Sequence, residues 1–105
     1  MELIKELTDE NFEKEISKGV FLVDFHATWC GPCRMLAPIM EEVATHFENK
    51  ASVAKLDIDS QQKVAAEYQV TSVPTLILFI DGKEKDRLVG LRNFEEIKEF
   101  VEGGL

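Results

Sequence analysis

Short apolar segments, bounded by glycine, proline or helix-capping residues, divide this chain into strands and helices. Runs of about four to eight residues rich in β-branched or aromatic side chains are typical of buried strands. The predicted strands are Leu3–Leu7, Val20–Phe25, Val53–Ile58, Thr75–Ile80 and Lys85–Val89. Apolar residues one helical turn apart predict the helices between them. The predicted helices run from Thr8 or Asp9 to about Lys18, from Pro32 or Cys33 to about Phe47, from Ser60 to about Tyr68, and from Asn93 to the Gly103-Gly104 pair.

Local signals mark several of these boundaries. Asp81-Gly82, directly after an apolar strand, is a strong hairpin signal because both residues tolerate positive φ. Asn93 with Glu96 three positions later resembles a capping box at the start of the last helix. Pro38 lies inside the second helix, where it removes one backbone hydrogen bond and predicts a kink.

The order of the predicted elements indicates an α/β fold. Strands and helices alternate through the first three strands and helices, which favours parallel crossover units. The hairpin then adds an antiparallel pair. The simplest architecture is a central mixed β-sheet with helices on both faces.

Length and composition exclude several other classes of protein. The 105 residues fit one domain, 1–105, with ordinary proportions of apolar (45%) and charged (30%) side chains. No stretch approaches the roughly 20 apolar residues of a membrane span, so a membrane association is not expected. A net charge of -8 disfavours binding to nucleic acid. No basic segment followed by an apolar run begins the chain, so we expect a cytoplasmic location.

Cys30 and Cys33, the two cysteines of the chain, are separated by Gly31 and Pro32. A structural disulfide closing so short a loop would stabilise the fold by only about 2 kcal/mol. A structural metal site needs four ligands, and only His26 and His46 would join the cysteines, at a spacing that fits no common zinc pattern. Two ordinary buried thiols are a further alternative, but Cys30 lies at a strand-to-helix turn, where side chains tend to be exposed. A CxxC pair in this context is typical of redox chemistry.

Thiol–disulfide exchange explains the spacing, because one thiolate attacks a target disulfide and a second, nearby thiol then releases the product. A helix N-terminus stabilises the negative charge of the first sulfur, which makes Cys30 the attacking residue. Cys33, one turn into the helix and better shielded, suits the resolving role. Pro32 withholds a backbone N–H from the sulfur, which favours a reductant, and Gly31 leaves the approach open.

The stretch WCGPC, together with VDF, KLDID, SVPT, VG, the DG hairpin and Pro38, resembles the thioredoxin family over essentially the whole chain. The resemblance implies a thioredoxin fold, a mixed sheet of about five strands flanked by four helices. It also implies a general protein-disulfide reductase without a bound cofactor, and we expect the protein to act as a monomer. The Cys30–Cys33 disulfide would be re-reduced by thioredoxin reductase, a flavoenzyme that draws on NADPH.

Asp24 and Lys55 acquire a role through this resemblance. Alternation along the strand leaves open whether Asp24 faces solvent, which is usual for Asp, or the interior. The matching residue of the family is buried beneath the cysteines and assists proton transfer with the resolving thiol. Burial would raise the pKa of Asp24 and make it an acid or base near neutral pH. Lys55 matches a lysine near this Asp, although by itself it would be expected to be a solvated strand residue.

Pro74 presents a similar choice. Only about 5–6% of X–Pro bonds are cis in folded proteins, so the residues alone favour a trans peptide after Val73. The resemblance instead implies a cis proline against the disulfide, with the Val73 backbone binding an extended substrate. It also implies a shallow apolar surface that receives disulfide segments, formed by Trp29, Gly31, Pro32, Val73, Pro74 and Gly90. The alternative for Trp29 and Val73 is packing in the core.

Two residues depart from the family pattern. His26 stands where an aromatic residue, often Trp, is usual, and Arg34 replaces a common Lys while keeping its charge. His26 shares a strand face with Asp24, so we hypothesise that the two titrate together. The alternative is an exposed histidine at the end of the strand. At the level of function, the alternative to a reductase is a non-catalytic thioredoxin-like chaperone or complex subunit, against which the retention of both cysteines argues.

Overall fold

Five strands form one mixed β-sheet in the computed structural model, which describes residues 3–105. The strands are β1 (Ile4–Glu6), β2 (Val20–His26), β3 (Ser52–Asp57), β4 (Thr75–Ile80) and β5 (Lys83–Val89). Their order across the sheet is β1-β3-β2-β4-β5. Strand β3 lies parallel to both β1 and β2, whereas β4 is antiparallel to both β2 and β5. The predicted mixed sheet is therefore confirmed.

Four helices among these residues cover the sheet on both faces. They are α1 (Phe12–Glu15), α2 (Gly31–His46), α3 (Gln62–Glu67) and α4 (Phe94–Glu102). Helices α2 and α4 share one hydrophobic cluster with Leu22 and Leu78, whereas α1 and α3 share another with Val23 and Phe79. The alternation of side chains along β2 and β4 thus fills a core on each face of the sheet. No helix in residues 3–105 is both long and apolar enough to cross a membrane.

Strand β2 is the element that positions the site. It pairs with β3 on one side and β4 on the other, so it lies in the middle of the sheet. Leu22 packs on the face covered by α2, and the same periodicity places Asp24 and His26 on that face. After His26 the chain leaves the sheet and enters α2 within a few residues. The end of β2 therefore brings its polar residues close to the start of α2.

The turn and cap signals near the C-terminus predict the structure correctly. Asp81 and Gly82 adopt φ angles of 50° and 84°, as a two-residue hairpin with both central residues at positive φ requires. Asn93 and Glu96 form the predicted capping box at the start of α4. Strand β5 begins at Lys83, two residues earlier than Lys85, because the tight turn allows pairing to start at once.

The first helix is much shorter than predicted. The regular helix begins at Phe12, after a turn that Thr8 caps: the Thr8 hydroxyl accepts a hydrogen bond from the Asn11 backbone N–H, and the Asn11 side chain accepts one from the Thr8 backbone N–H, as in a capping box. It ends at Glu15, and beyond it the Ser17 hydroxyl donates a hydrogen bond to the Lys14 carbonyl. Side chains that bond to nearby backbone groups in this way compete with the helix.

The predicted cap of the third helix is also wrong. Helix α3 begins at Gln62, its N-cap residue is Gln61, and neither this residue nor Ser60 caps it with a side chain. Instead the Asp9 carboxylate, from the loop after β1, accepts hydrogen bonds from the backbone N–H groups of Lys63 and Val64 at 3.3 and 2.9 Å. A residue more than fifty positions away therefore supplies the cap, which no local signal reveals.

Candidate active site

Cys30 and Cys33 lie at the turn from β2 into α2 and are joined by a disulfide bond. Their Cα atoms are 5.2 Å apart, a separation typical of disulfides. Cys30 is the N-cap residue of α2, and its Sγ accepts a hydrogen bond from the backbone N–H of Cys33 at 3.1 Å. Pro32 fits the first turn of the helix, where backbone N–H groups lack helical partners. The first sulfur therefore receives both a hydrogen bond and the positive end of the helix dipole.

Burial does not distinguish the two cysteines. Cys30 is 4% exposed and Cys33 6%, so the expectation of an exposed Cys30 and a better-shielded Cys33 is wrong for the disulfide form. The reason is that the bond draws both sulfurs together into a small apolar cluster with Ala27 and Val73. The Cys30 Sγ differs in that it accepts a hydrogen bond from the Cys33 backbone N–H at the start of α2.

The segment before β4 contacts this disulfide. The Val73–Pro74 peptide bond is cis, as the resemblance implies and contrary to the expectation from the residues alone. The Val73 carbonyl oxygen lies 3.8 Å from the Cys30 Sγ. On the other side, the Pro74 carbonyl accepts a hydrogen bond from the Gly90 backbone N–H at 2.8 Å, and Gly90 has a φ of 97°. Val73, Pro74 and Gly90 are thus held together beside the sulfurs.

Trp29 lies at the surface beside the cysteines. Its side chain is 65% exposed, which contradicts core packing, and its Nε1 donates a hydrogen bond to the Asp59 carboxylate at 2.7 Å. Pro32 is also exposed, whereas Val73 is half-buried and Pro74 is buried. Pro74 therefore positions its neighbours and adds little contact surface of its own.

Three further exposed apolar residues in the same segments were not predicted from the sequence: Met35, Val89 and Leu91. Val89 pairs with Thr75, directly after Pro74, and it flanks Gly90 together with Leu91. Met35 lies in the second turn of α2, two residues after Cys33. The sequence features that point to them are the position of Met35 between Cys33 and Leu36 in a helix and the apolar pair around Gly90.

Asp24 is buried on β2 and lines the same cavity as Cys33. It is 7% exposed, and its Oδ1 accepts no hydrogen bond from the residues that the structure describes. Desolvation raises the pKa of Asp24 to about 7, and the nearby cation of Lys55 opposes this rise only in part. Lys55 is the register partner of Asp24 on β3 and is half-buried. The interior alternative for Asp24 is therefore the correct one, and Lys55 does lie beside it.

His26 and Arg34 lie next to the same region. The His26 side chain is half-buried, and its Nε2 is buried without a hydrogen-bond partner among residues 3–105. Burial lowers the pKa of His26, while the carboxylate of Asp57, its register partner, opposes that change. Arg34 is exposed and donates a hydrogen bond from Nη1 to the Thr28 carbonyl at 2.9 Å.

The remaining candidates for metal binding are dispersed. His46 is exposed on α2, where its ring meets Phe47 and Phe94 edge to face. Within residues 3–105, no three His, Cys, Asp or Glu side chains are grouped so that they could hold a metal ion.

A mixed sheet flanked by helices, with a CxxC disulfide at a helix N-terminus, defines a dithiol–disulfide oxidoreductase. Comparison with known proteins gives the family: the family model for thioredoxin matches residues 3–103, and the chain belongs to the thioredoxin family. Thioredoxins of Staphylococcus saprophyticus and Staphylococcus aureus are each 48% identical to it over 99 residues, which cover 94% of this chain and 95% of each relative. The redox interpretation of the cysteine pair is confirmed, and the protein reduces protein disulfides by dithiol–disulfide exchange.

Proposed function

We propose that Cys30 is the attacking residue and Cys33 the resolving residue of a general protein-disulfide reductase. The observation that carries this assignment is the position of Cys30 as N-cap of α2, where its Sγ accepts the Cys33 backbone N–H. An anion at this position is stabilised by the helix dipole, whereas Cys33 lies one turn further along. The sulfur that ionises more readily is the better attacking group near neutral pH.

The reaction has two exchange steps. The Cys30 thiolate attacks one sulfur of the target disulfide, so that a mixed disulfide forms and the first target thiolate leaves. Cys33 then gives up its proton and attacks the Cys30 Sγ, which releases the second target thiolate. Two electrons pass from the protein dithiol to the target, and the Cys30–Cys33 disulfide remains.

Asp24 is the residue that we propose to accept the Cys33 proton. It lines the same cavity as Cys33, and its pKa of about 7 suits a group that takes and releases a proton near neutral pH. Lys55, its neighbour on β3, limits how far that pKa rises. This pairing would keep part of the Asp24 population ionised when Cys33 needs a base.

The target disulfide would approach over the surface around the Cys30 sulfur. Exposed Trp29 and Pro32 provide apolar contact area, and Gly31 adds no side chain that would obstruct it. Val73 would offer its backbone to an extended segment, since Pro74 and Gly90 hold that backbone against Cys30. Backbone pairing selects for shape more than for side-chain identity, which supports a broad range of substrates.

We further propose that the 105 residues form one domain and act as a monomer in the cytoplasm. Thioredoxin reductase, with electrons from NADPH, would restore the dithiol after each cycle. The family match over residues 3–103 supports the single domain, and the Gly-Pro pair between the cysteines supports a reducing role. Such a role requires a compartment that supplies reducing equivalents.

The test is a protein-disulfide reduction assay with NADPH and thioredoxin reductase, run on the parent, Cys30→Ser and Cys33→Ser. We expect turnover only with the parent. Cys33→Ser should accumulate a covalent mixed disulfide with its target, which mass spectrometry detects, and Cys30→Ser should trap little. Trapping by Cys30→Ser in place of Cys33→Ser would reverse the two roles, and turnover by either variant would refute the mechanism.

A further inference from the structure

A cavity of about 320 Å³ lies between the start of α2 and the sheet, next to the resolving cysteine. The buried groups along it include Cys33, Asp24 and Met40, and it opens to solvent past the exposed Arg34 and Glu41. A water molecule occupies about 30 Å³ in the liquid, so the cavity has room for several. It connects the buried end of the exchange site with the solvent.

Two buried polar atoms along this cavity make no hydrogen bond to any residue in the described range. They are the Oδ1 of Asp24 and the Nε2 of His26. Both residues lie on the same face of β2, and two positions along a strand span about 6.6 Å. Both side chains also line this cavity, so water in it can hydrogen-bond to each of them. Ordered water in protein interiors is found where buried polar groups lack protein partners, as these two atoms do.

We propose that His26 is a proton relay, which exchanges the proton of Asp24 with the solvent through water in this cavity. His26 acts through Asp24 and does not touch the sulfur atoms, so it is a positioning residue for the proton and not a catalytic residue. The inference rests on the role proposed above for Asp24 and adds His26 as the group that passes the proton on to the solvent. It also replaces the alternative of a freely exposed histidine at the end of the strand.

The proton follows one path in each cycle. Cys33 transfers its proton to the Asp24 carboxylate as its sulfur attacks Cys30. The Asp24 carboxyl group then passes that proton through water to the His26 Nε2, and the imidazolium releases a proton from the ring to solvent. The departing target thiolate takes up one proton from solvent, so no net proton is lost, and Asp24 returns to its ionised form for the next cycle.

The charges around the pair support this path. The charged side chains that line the cavity are Lys55 from β3 and Arg34 and Glu41 from α2, and the carboxylates of Asp57 on β3 and Glu6 on β1 act on His26 electrostatically. Burial raises the pKa of Asp24 to about 7 and lowers that of His26 from 6.5, and Asp57 and Glu6 limit the fall. Lys55 adds to the fall in the pKa of His26, so a protonated His26 gives up its proton readily to solvent.

The test isolates the resolving step. An aromatic mixed disulfide on Cys30 is prepared at low pH, where Cys33 stays protonated, and the absorbance of the released aromatic thiolate is followed after a jump to higher pH. The proteins are the parent, His26→Ala, His26→Asn and Asp24→Asn. The matched control is His46→Ala, because His46 is the other histidine of the chain and does not line the cavity. Each rate is measured from about pH 5 to pH 9 with increasing imidazole.

We expect His26→Ala and His26→Asn to slow release about tenfold near neutral pH, less than the roughly 10²–10⁴-fold that a direct acid–base group contributes. Imidazole should restore the rate of His26→Ala, which has space for it, and should leave the parent and His46→Ala unchanged. Superimposable pH profiles for the parent and both His26 variants would overturn the proposal, as would a slow His26→Ala that imidazole does not restore. An unchanged rate in Asp24→Asn would instead refute the role proposed for Asp24.

Discussion

The burial of Asp24 lets this residue exchange a proton near neutral pH, and it also lowers the stability of the folded protein at that pH. A carboxyl group in water loses its proton near pH 4, but desolvation raises the pKa of Asp24 from 3.8 to about 7. Because the folded state holds this proton more tightly than the unfolded state, ionisation of Asp24 opposes folding. The stability that the fold gains from holding Asp24 protonated is fully present below about pH 4 and is lost as the pH rises through about 7.

The substitution Asp24→Asn should therefore stabilise the protein in a pH-dependent way. Each unit of pKa shift corresponds to about 1.4 kcal/mol, so the free energy of unfolding of the variant should gain about 4 kcal/mol on that of the parent between pH 4 and pH 8.5. Urea denaturation of both oxidised proteins at the two pH values measures this difference. A difference that stays constant with pH would show that Asp24 is not held protonated by its surroundings.

The residues of the site differ in how well the sequence predicts them. The roles of Cys30 and Cys33 can be predicted because two thiols at this spacing at the start of a helix are typical of redox chemistry. The burial of Asp24 is not, because alternation fixes which face of β2 it shares with Leu22 but not what covers that face. The Nε2 of His26 is buried without a hydrogen-bond partner among the described residues, which no spacing along the chain predicts.

Among the helices, α3 depends on a distant part of the chain for its start. It has six residues, and isolated helices of this length are not stable in water. Its first N–H groups are bound by the Asp9 carboxylate, and the Gln61 side chain accepts a hydrogen bond from the Asp9 backbone N–H at 2.7 Å. The capping box of α4, by contrast, is local, and this difference explains why the sequence predicts one helix start and not the other.

We expect Asp9→Ala to lower the free energy of unfolding by about 1 kcal/mol, the usual cost of losing a helix N-cap. The matched control is Ser60→Ala, since Ser60 is the residue that the local pattern favours as the cap but its hydroxyl binds no backbone N–H of α3. Urea denaturation should show this control within about 0.5 kcal/mol of the parent. If Ser60→Ala were the more damaging substitution, the cap would be local after all.

At the scale of the whole molecule, stability should decrease from the middle of the sheet to its edges. Strand β2 has pairing partners on both sides and buried residues on both faces, whereas β1 has only three residues and β5 is largely exposed. The pairing of β4 with β5 also shifts register between Leu78 and Phe79. Regions with few buried contacts open locally without unfolding of the remainder.

Amide hydrogen exchange should reveal this gradient. We expect hydrogen-bonded amides of β2 to exchange about 100-fold more slowly than those of β5, because β2 opens only with global unfolding. Residue-resolved NMR of the oxidised protein in D₂O measures both sets in one sample. Equal protection in the two strands would mean that the sheet opens as one cooperative unit.

The central position of β2 has a consequence for how the enzyme fails under heat. Asp24 and His26 belong to this strand, and Cys30 follows a few residues after its end, so the residues that perform the chemistry are anchored at the part of the sheet that opens last. Local opening of the edge strands β1 and β5 therefore leaves these residues in place. Warming should therefore not produce a folded but inert form, and a sample that retains its tertiary structure should retain its ability to carry electrons.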